Sequence, residues 1–151
     1  SRNKFPLAPS VKGRSMSDIL IEDVGIEEGR FGRVVTARVR PNLDIVEAIE
    51  NICAENNIAH AVVRGCVGSL MDANLEIGSA EKSNIQTIPG PGLEIAITTG
   101  EVRPDDSGKP RARLYGLVAN WDGDGWAGEF IRGHNLTFVT LELMLQEWLP
   151  E

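Results

Sequence analysis

The stretch "ARLYGLVANWDGDGWAGEF", residues 112–130, decides the fold of this chain. Its two ends are rich in Val, Leu, Tyr, Trp and Phe, which favour β-strands. Between them lie Gly123 and two aspartates, the residue types that tight turns between strands require. The stretch therefore predicts a β-hairpin.

The same stretch imitates two ligand-binding motifs. Gly123, Gly125 and Gly128 spell G-x-G-x-x-G, but a dinucleotide site needs these glycines between a strand and a helix, and no helical pattern follows. A calcium loop starting at Asn120 would place Ile131 at the twelfth position, where a bidentate Glu is needed. We interpret the glycines as turn residues.

Outward from the hairpin, the chain reads as one helix among strands. Residues 42–57, "NLDIVEAIENICAENN", place apolar side chains at three-and-four spacing, with Asn42 as the expected N-cap and Asn56-Asn57 as the terminator. The strands are expected at "GRVVTARVR", "IAHAVVRG", "ANLEIG", "LEIAITTGEVR", "ARLYGLVANW", "GWAGEFI" and "LTFVTLELML". This order predicts an α+β domain, a mainly antiparallel sheet with a packed helix.

The last of these strands is apolar on both faces. Alternation assigns Val139, Leu141, Leu143 and Leu145 to one face, and the opposite face also carries apolar side chains. The residues on this second face are Phe138, Thr140, Glu142 and Met144. We expect this second face to contact a helix or another subunit.

Composition bounds the function. The 151 residues suit one domain, divided into a leader and first segment (1–30) and the domain proper (31–151). A formal charge of −7 disfavours binding nucleic acid with the whole surface. Cys53 and Cys66 are expected to be reduced and buried, and His60 and His134 to be structural. Without an apolar span or signal peptide, the chain is expected in the cytoplasm.

The order of landmarks from about Gly32 to Trp148 resembles the plants-and-prokaryotes-conserved (PPC) domain, which in plants follows AT-hooks in nuclear proteins. These landmarks are the first strand and helix, then "RGCVGSL", "GPGLEIAITTGEV", "DGDGWAGEFIRG" and a closing strand with Glu142. Their glycines are Gly65, Gly68, Gly100, Gly123, Gly128 and Gly133. The resemblance implies a compact α+β fold assembled as a homotrimer through the sheet.

Many prokaryotic members of that family carry H-x-H before the turn and G-G-H after it, three imidazoles that can hold a metal. Here Arg113 and Tyr115 occupy the H-x-H places and Glu129 replaces the last His. One carboxylate and a phenol are poor substitutes for three imidazoles, so we expect neither metal nor cofactor. The resemblance suggests instead an Arg113–Glu129 ion pair, or a pocket for a small anionic ligand that also uses Glu94 and Arg64.

Three functions follow from these residues. The first is a non-enzymatic, homotrimeric protein with a regulatory or small-ligand-binding role. The second is an enzyme acting on a small anionic metabolite at the altered metal site. The third is direct binding to DNA, which requires a basic face but finds no AT-hook core R-G-R-P in this sequence. That face would gather Arg30, Arg33, Arg38, Arg40, Lys4, Lys12 and Arg14.

Overall fold

The computed structural model describes residues 24–151, so residues 1–23 of the predicted leader and first segment, with Lys4, Lys12 and Arg14, lie outside the described part of the chain. Helix α1 spans Ile45–Glu55. The strands are β1 (Gly29–Val39), β2 (Ala61–Leu70), β3 (Ala73–Gly78), β4 (Ser83–Ile88), β5 (Leu93–Pro104), β6 (Pro110–Ala119), β7 (Gly125–Phe130) and β8 (Thr137–Pro150).

The strands form one sheet in the order β1-β8-β2-β5-β6-β7-β3-β4, and every pairing between them is antiparallel. The predicted fold class, a mainly antiparallel sheet with one packed helix, is therefore confirmed. At the centre, β5, β6 and β7 follow one another as consecutive hairpins. Tight connections of this kind fix the register, which sets the side chains that meet across strands.

The core lies between α1 and one face of the sheet. Ile45, Ile49 and Cys53 of the helix are buried together with Leu114 and Val118 of β6. Burying an aliphatic side chain of this size stabilises the fold by roughly 1.5–3 kcal/mol. We call the sheet face turned away from α1 the outer face. In β6 it carries the residues that alternate with Leu114 and Val118, which are Arg113, Tyr115 and Leu117.

The N-cap of α1 is Asp44, and the prediction of Asn42 was wrong. Asp44 has the extended backbone of a cap, and its Oδ2 accepts a hydrogen bond from the Glu47 amide at 2.9 Å. Asn42 instead adopts a φ of 65° in the turn after β1, where its amide donates to the Thr137 carbonyl. A side chain two residues further from the helix cannot reach its first free amides. At the other end, Asn56 is the C-cap, as expected.

Three strand predictions needed correction. β4 was missed, because its six residues are mostly polar and exposed at the sheet edge. β2 begins at Ala61, so His60 lies in the bend before the strand and not within it. Val139 is exposed, unlike Leu141, because the pairing of β8 with β2 is irregular between Gly68 and Leu70 and interrupts the alternation.

The stretch at residues 112–130 forms the predicted hairpin of β6 and β7. The amide of Asn120 donates to the carbonyl of Asp124, the amide of Gly123 donates to the carbonyl of Asn120, and Gly123 has a φ of 84°. Cys53 and Cys66 are free and buried, as expected. Within residues 24–151, no helix is long and apolar enough to cross a membrane.

Candidate functional site

Arg113, Tyr115 and Glu129 lie together on the outer face. Arg113 and Tyr115 are two residues apart in β6 and so share a face, and Tyr115 is the direct cross-strand partner of Glu129 in β7. The hairpin register therefore brings the three side chains together without any contribution from α1. They form what we call the arginine cluster.

The arginine cluster is held by three hydrogen bonds. Arg113 Nε donates to Glu129 Oε1 at 2.9 Å, and Arg113 Nη2 donates to Glu129 Oε2 at 3.1 Å. The same Nη2 donates to the Tyr115 hydroxyl at 2.6 Å. A bidentate contact between a guanidinium and a carboxylate is directional and stronger than a neutral hydrogen bond. Arg113 thus occupies the space between the phenol and the carboxylate.

The pair shifts both titration equilibria towards the charged forms. The hydrogen bond from Arg113 lowers the pKa of Glu129 below its ordinary value, although partial burial opposes the shift. The hydrogen bond and negative charge of Glu129 raise the pKa of Arg113, and Glu101 adds a smaller effect. Arg113 remains 63% exposed and Glu129 25% exposed, so solvent screens the pair.

A shallow groove of about 350 Å³ opens beside the arginine cluster, with Tyr115 and Glu129 in its wall. Glu76 of β3 lines the same groove and faces Glu129 across the strands. Glu76 accepts a hydrogen bond from the Ser83 hydroxyl at 2.9 Å. The polar side of the groove therefore presents two carboxylates, while the guanidinium stands behind one of them.

The structure does not bring Glu94 and Arg64 to the arginine cluster. In β5 the residue opposite Arg113 is Glu101, whereas Glu94 pairs with Ala119, seven positions away or roughly 24 Å along a strand. Arg64 lies in β2, where it lines a different groove. Glu101 is the nearby carboxylate that sequence reasoning missed. Counting the register outward from the Pro104–Pro110 hairpin would have found it.

Two of the six landmark glycines shape the site directly. A Cβ on Gly100 would lie 2.4 Å from the carbonyl oxygen of Arg113, and one on Gly128 would lie 2.6 Å from that of Glu76. Any larger residue would push the strands that carry the cluster apart. The others lie away from it, with Gly65 and Gly68 in β2 and Gly123 and Gly133 in turns.

The residues of the arginine cluster do not fit a metal ion. A cation would need the space that the Arg113 guanidinium fills, and that group has no lone pair to donate. Glu129, whose two oxygens already accept from Arg113, is the one anionic ligand in the set. Among residues 24–151 there is also no group of three or more His, Cys, Asp or Glu side chains placed to hold a metal.

Arg33 and Arg38 of β1 do not share one basic face. Arg33 turns towards the end of α1, where its Nη2 donates to the Asn56 carbonyl and to Glu147. Arg38 lies on the outer face and pairs with Glu142. These two cations are separated and neutralised, and Lys4, Lys12 and Arg14 lie outside the described residues.

Residues 26–149 match the model of the Plants and Prokaryotes Conserved (PCC) domain, and the chain belongs to this family. The resemblance seen in the sequence landmarks is thereby confirmed. A search of curated proteins gave no significant match.

Solved structures share the fold at low sequence identity. A plant- and prokaryote-conserved protein of Pyrococcus horikoshii is 20% identical, with a TM-score of 0.74 over 85% of this chain and 87% of its own. A metal-containing protein of Archaeoglobus fulgidus is 22% identical, with a TM-score of 0.74 over 85% and 88%. A proposed DNA-binding protein of Bacteroides thetaiotaomicron is 15% identical, with a TM-score of 0.64 over 79% and 82%.

Proposed function

We propose that the protein is a homotrimeric, non-enzymatic member of its family with a regulatory or small-ligand-binding role, and that the arginine cluster is its ligand site. The contact that supports this most directly is the bidentate pair of Arg113 with Glu129. It replaces the imidazoles that the family resemblance places there with a cation suited to holding an anion. Free, buried thiols are in keeping with a cytoplasmic location.

The state of Glu129 favours binding over catalysis. A general base is most effective when its pKa lies near the working pH. The pKa of Glu129 is instead lowered by Arg113, so at neutral pH this carboxylate is a weak base. We therefore rank an enzyme acting on a small anionic metabolite below a binding protein.

The ligand class follows from the guanidinium. A small carboxylate or phosphate can take the place of Glu129 on Arg113, in the same fork geometry, and accept a further hydrogen bond from the Tyr115 hydroxyl. The exposure of Arg113 leaves this approach open from solvent. The ligand must bind Arg113 more favourably than Glu129 does, because it has to displace that carboxylate.

Assembly is supported by the outer face. Four apolar side chains on neighbouring strands are exposed there, and a sheet face of this kind is usually covered by another layer. They are Val34, Val67, Ile97 and Met144, between 44% and 72% exposed in the single chain. Other copies of the chain would cover them in the proposed trimer.

Thermal unfolding with succinate or inorganic phosphate tests the ligand site. A ligand at one hundred times its Kd stabilises a protein by about 2.7 kcal/mol, roughly 5–10 °C in Tm for a domain of this size. Arg113→Ala should remove the shift, and Arg30→Ala should keep it, because Arg30 is exposed in β1, four strands away from β6. A shift equal in both variants, or none in the wild type, would count against an anion site at Arg113.

Direct DNA binding is the weakest proposal. Two structural neighbours are described as proposed DNA-binding proteins, but the identities are below 25% and carry the fold alone. The net charge is −7, and among residues 24–151 Arg33 and Arg38 of the expected basic face are neutralised by Glu147 and Glu142, which disfavours attraction to a duplex. An association with DNA through a partner protein fits these residues better.

A further inference from the structure

Trp121 is completely exposed at the tip of the β6–β7 hairpin, at 100% of its possible surface. Tryptophan carries the largest apolar surface of any side chain and is enriched among the residues that dominate protein interfaces. Within residues 24–151 it packs against nothing.

The hairpin tip holds Trp121 in a fixed position. The amide of Asp124 donates to Asn120 Oδ1 at 2.9 Å, and the amide of Asn120 donates to the Asp124 carbonyl at 3.0 Å. These bonds close the turn around Trp121, Asp122 and Gly123. A side chain presented on an ordered turn loses less conformational entropy on binding than one on an open loop.

A groove of about 650 Å³ lies elsewhere on the outer face, between β1, β8 and β2. Its wall includes Arg38, Arg64, Gly65, Val67, Glu142 and Met144. Val67 and Met144 are exposed there by 72% and 44%. The groove therefore offers an apolar floor large enough for an aromatic side chain, with the Arg38–Glu142 pair and Arg64 at its border.

The charges of the tip and of the groove are complementary. Asp122 and Asp124 follow Trp121 in the same turn. At the groove, Arg38 is balanced by Glu142, whereas Arg64 makes no ion pair with any residue in the described range 24–151. A negative tip with an apolar centre thus matches a groove that has an apolar floor and the positive charge of Arg64 at its rim.

One copy of the chain cannot make this contact with itself. Strand β5 lies between β2 and β6, and the hairpin tip is level with Glu94 and Ser69, four residues along β2 from Gly65. The separation is on the order of 15 Å from strand spacing and rise. Because β6 and β7 stay paired up to the turn, the tip cannot fold back across that distance.

We propose that Trp121 of one copy inserts into the groove around Gly65 of the next copy, and that this contact builds the homotrimer. The contact is head-to-tail, since it joins two different surfaces, and such contacts form closed rings when the rotation between copies allows it. The inference rests on the homotrimer in the proposed function and identifies its interface.

Light scattering on the full chain tests it with two variants that act on opposite sides of the contact. The wild type should have three times the chain mass of 16.4 kDa, about 49 kDa. Trp121→Ala removes the inserted side chain. Gly65→Leu fills the groove, and a Cβ at Gly65 meets no atom within 4 Å, so the domain itself tolerates the change. We expect both variants to associate at least tenfold more weakly, and Ile85→Ala, an exposed residue of β4, to remain trimeric.

Mixing the two variants tests the head-to-tail geometry. Trp121→Ala keeps an open groove and Gly65→Leu keeps the tryptophan, so one intact contact forms between them and gives a dimer of about 33 kDa, twice 16.4 kDa. Failure of the mixture to associate would overturn the head-to-tail arrangement. Both variants remaining at trimer mass would overturn the interface and leave the homotrimer standing on another surface. A monomeric wild type would overturn the homotrimer as well.

Discussion

Arg113 places its guanidinium among three oxygen atoms, two from Glu129 and one from Tyr115. The sequence brought these residues to attention because they stand where the family resemblance places imidazoles. Their contact is a finding of the tertiary structure, and so is its exposure to solvent. Removing one partner of a buried ion pair lowers the free energy of unfolding by roughly 3 kcal/mol, whereas an exposed pair contributes about 0.2–1 kcal/mol.

Arg113→Ala should therefore lower the free energy of unfolding by about 1 kcal/mol or less at pH 7. Because the folded pKa of Glu129 is lowered, the contribution of the pair is complete above the ordinary pKa of a carboxyl group and is lost as the pH falls through the lowered value. Urea titrations of both proteins from pH 7 into the acid range measure this, and their stabilities should converge in acid. A difference that grows on acidification would contradict the assignment.

Glu50 of α1 is a second residue whose contacts matter for stability, and no sequence pattern pointed to it. Its side chain is buried, accepts from the Ala112 amide at 3.0 Å, and accepts from Arg132 Nε at 2.6 Å. A glutamate in an amphipathic helix is ordinarily expected to face solvent, and the sequence around Glu50 does not distinguish it from such a residue. The partners come from β6 and from the connection after β7, so its role depends on long-range packing.

Glu50→Ala should destabilise the fold by about 3 kcal/mol, because it leaves a buried amide and a guanidinium without their acceptor. Glu47→Ala is the matched control one turn away on the same helix. Glu47 is 44% exposed and meets Arg132 only at 3.5 Å, so its removal should cost less than about 1 kcal/mol. Urea unfolding of the two variants decides the matter, and equal losses would show that Glu50 is no more important than an exposed carboxylate.

At the scale of the elements, the pattern of apolar residues located α1 and seven of the eight strands, while the ends of these elements were less accurate. Periodicity reports which face is buried, and it is strongest in the middle of an element. A cap depends on the angle at which the chain enters the helix, which is set here by the turn at Asn42 and the contact of Asp44 with Asn135. β4 lacks a buried face, so it had no periodic signal to detect.

Asp44→Ala should destabilise the protein by about 2 kcal/mol. It removes the acceptor for the Glu47 amide, and it leaves the buried Asn135 amide without its partner Oδ1 at 2.8 Å. Asn42→Gly should have little effect, because a φ of 65° suits glycine. Thermal unfolding of both variants distinguishes the two caps, and a larger loss in Asn42→Gly would restore Asn42 as the important residue.

At the scale of the whole molecule, the sheet is covered on one face by α1 and the chain leaves the outer face open. Eight strands in one sheet present more surface than an eleven-residue helix can cover. The apolar residues of the outer face stay uncovered because α1 packs on the opposite face, and Trp121 is exposed at a hairpin tip; both proposals on assembly arise from these residues. The distribution of charge over that surface also determines whether the protein can bind nucleic acid directly.

The full chain should not retard mixed-sequence or AT-rich duplex DNA, even at low salt, because it carries a net charge of −7 and because Arg33 and Arg38 are paired with Glu147 and Glu142. Fluorescence anisotropy with a labelled duplex at about 50 mM and 200 mM salt measures this. Affinity that falls steeply between the two salt concentrations would reveal a basic surface and reinstate direct binding.

The sequence by itself determined the fold class, the family and the hairpin at residues 112–130, and it drew attention to Arg113, Tyr115 and Glu129 through the family resemblance. Each of these depends on local spacing, on turn chemistry or on the order of landmarks along the chain, which a sequence carries directly. Only the tertiary structure decided that Glu101, and not Glu94, faces Arg113, that Glu50 is buried, and that Trp121 stands exposed. These facts depend on strand register and on which surfaces pack together, and both are set by contacts between residues distant in the chain.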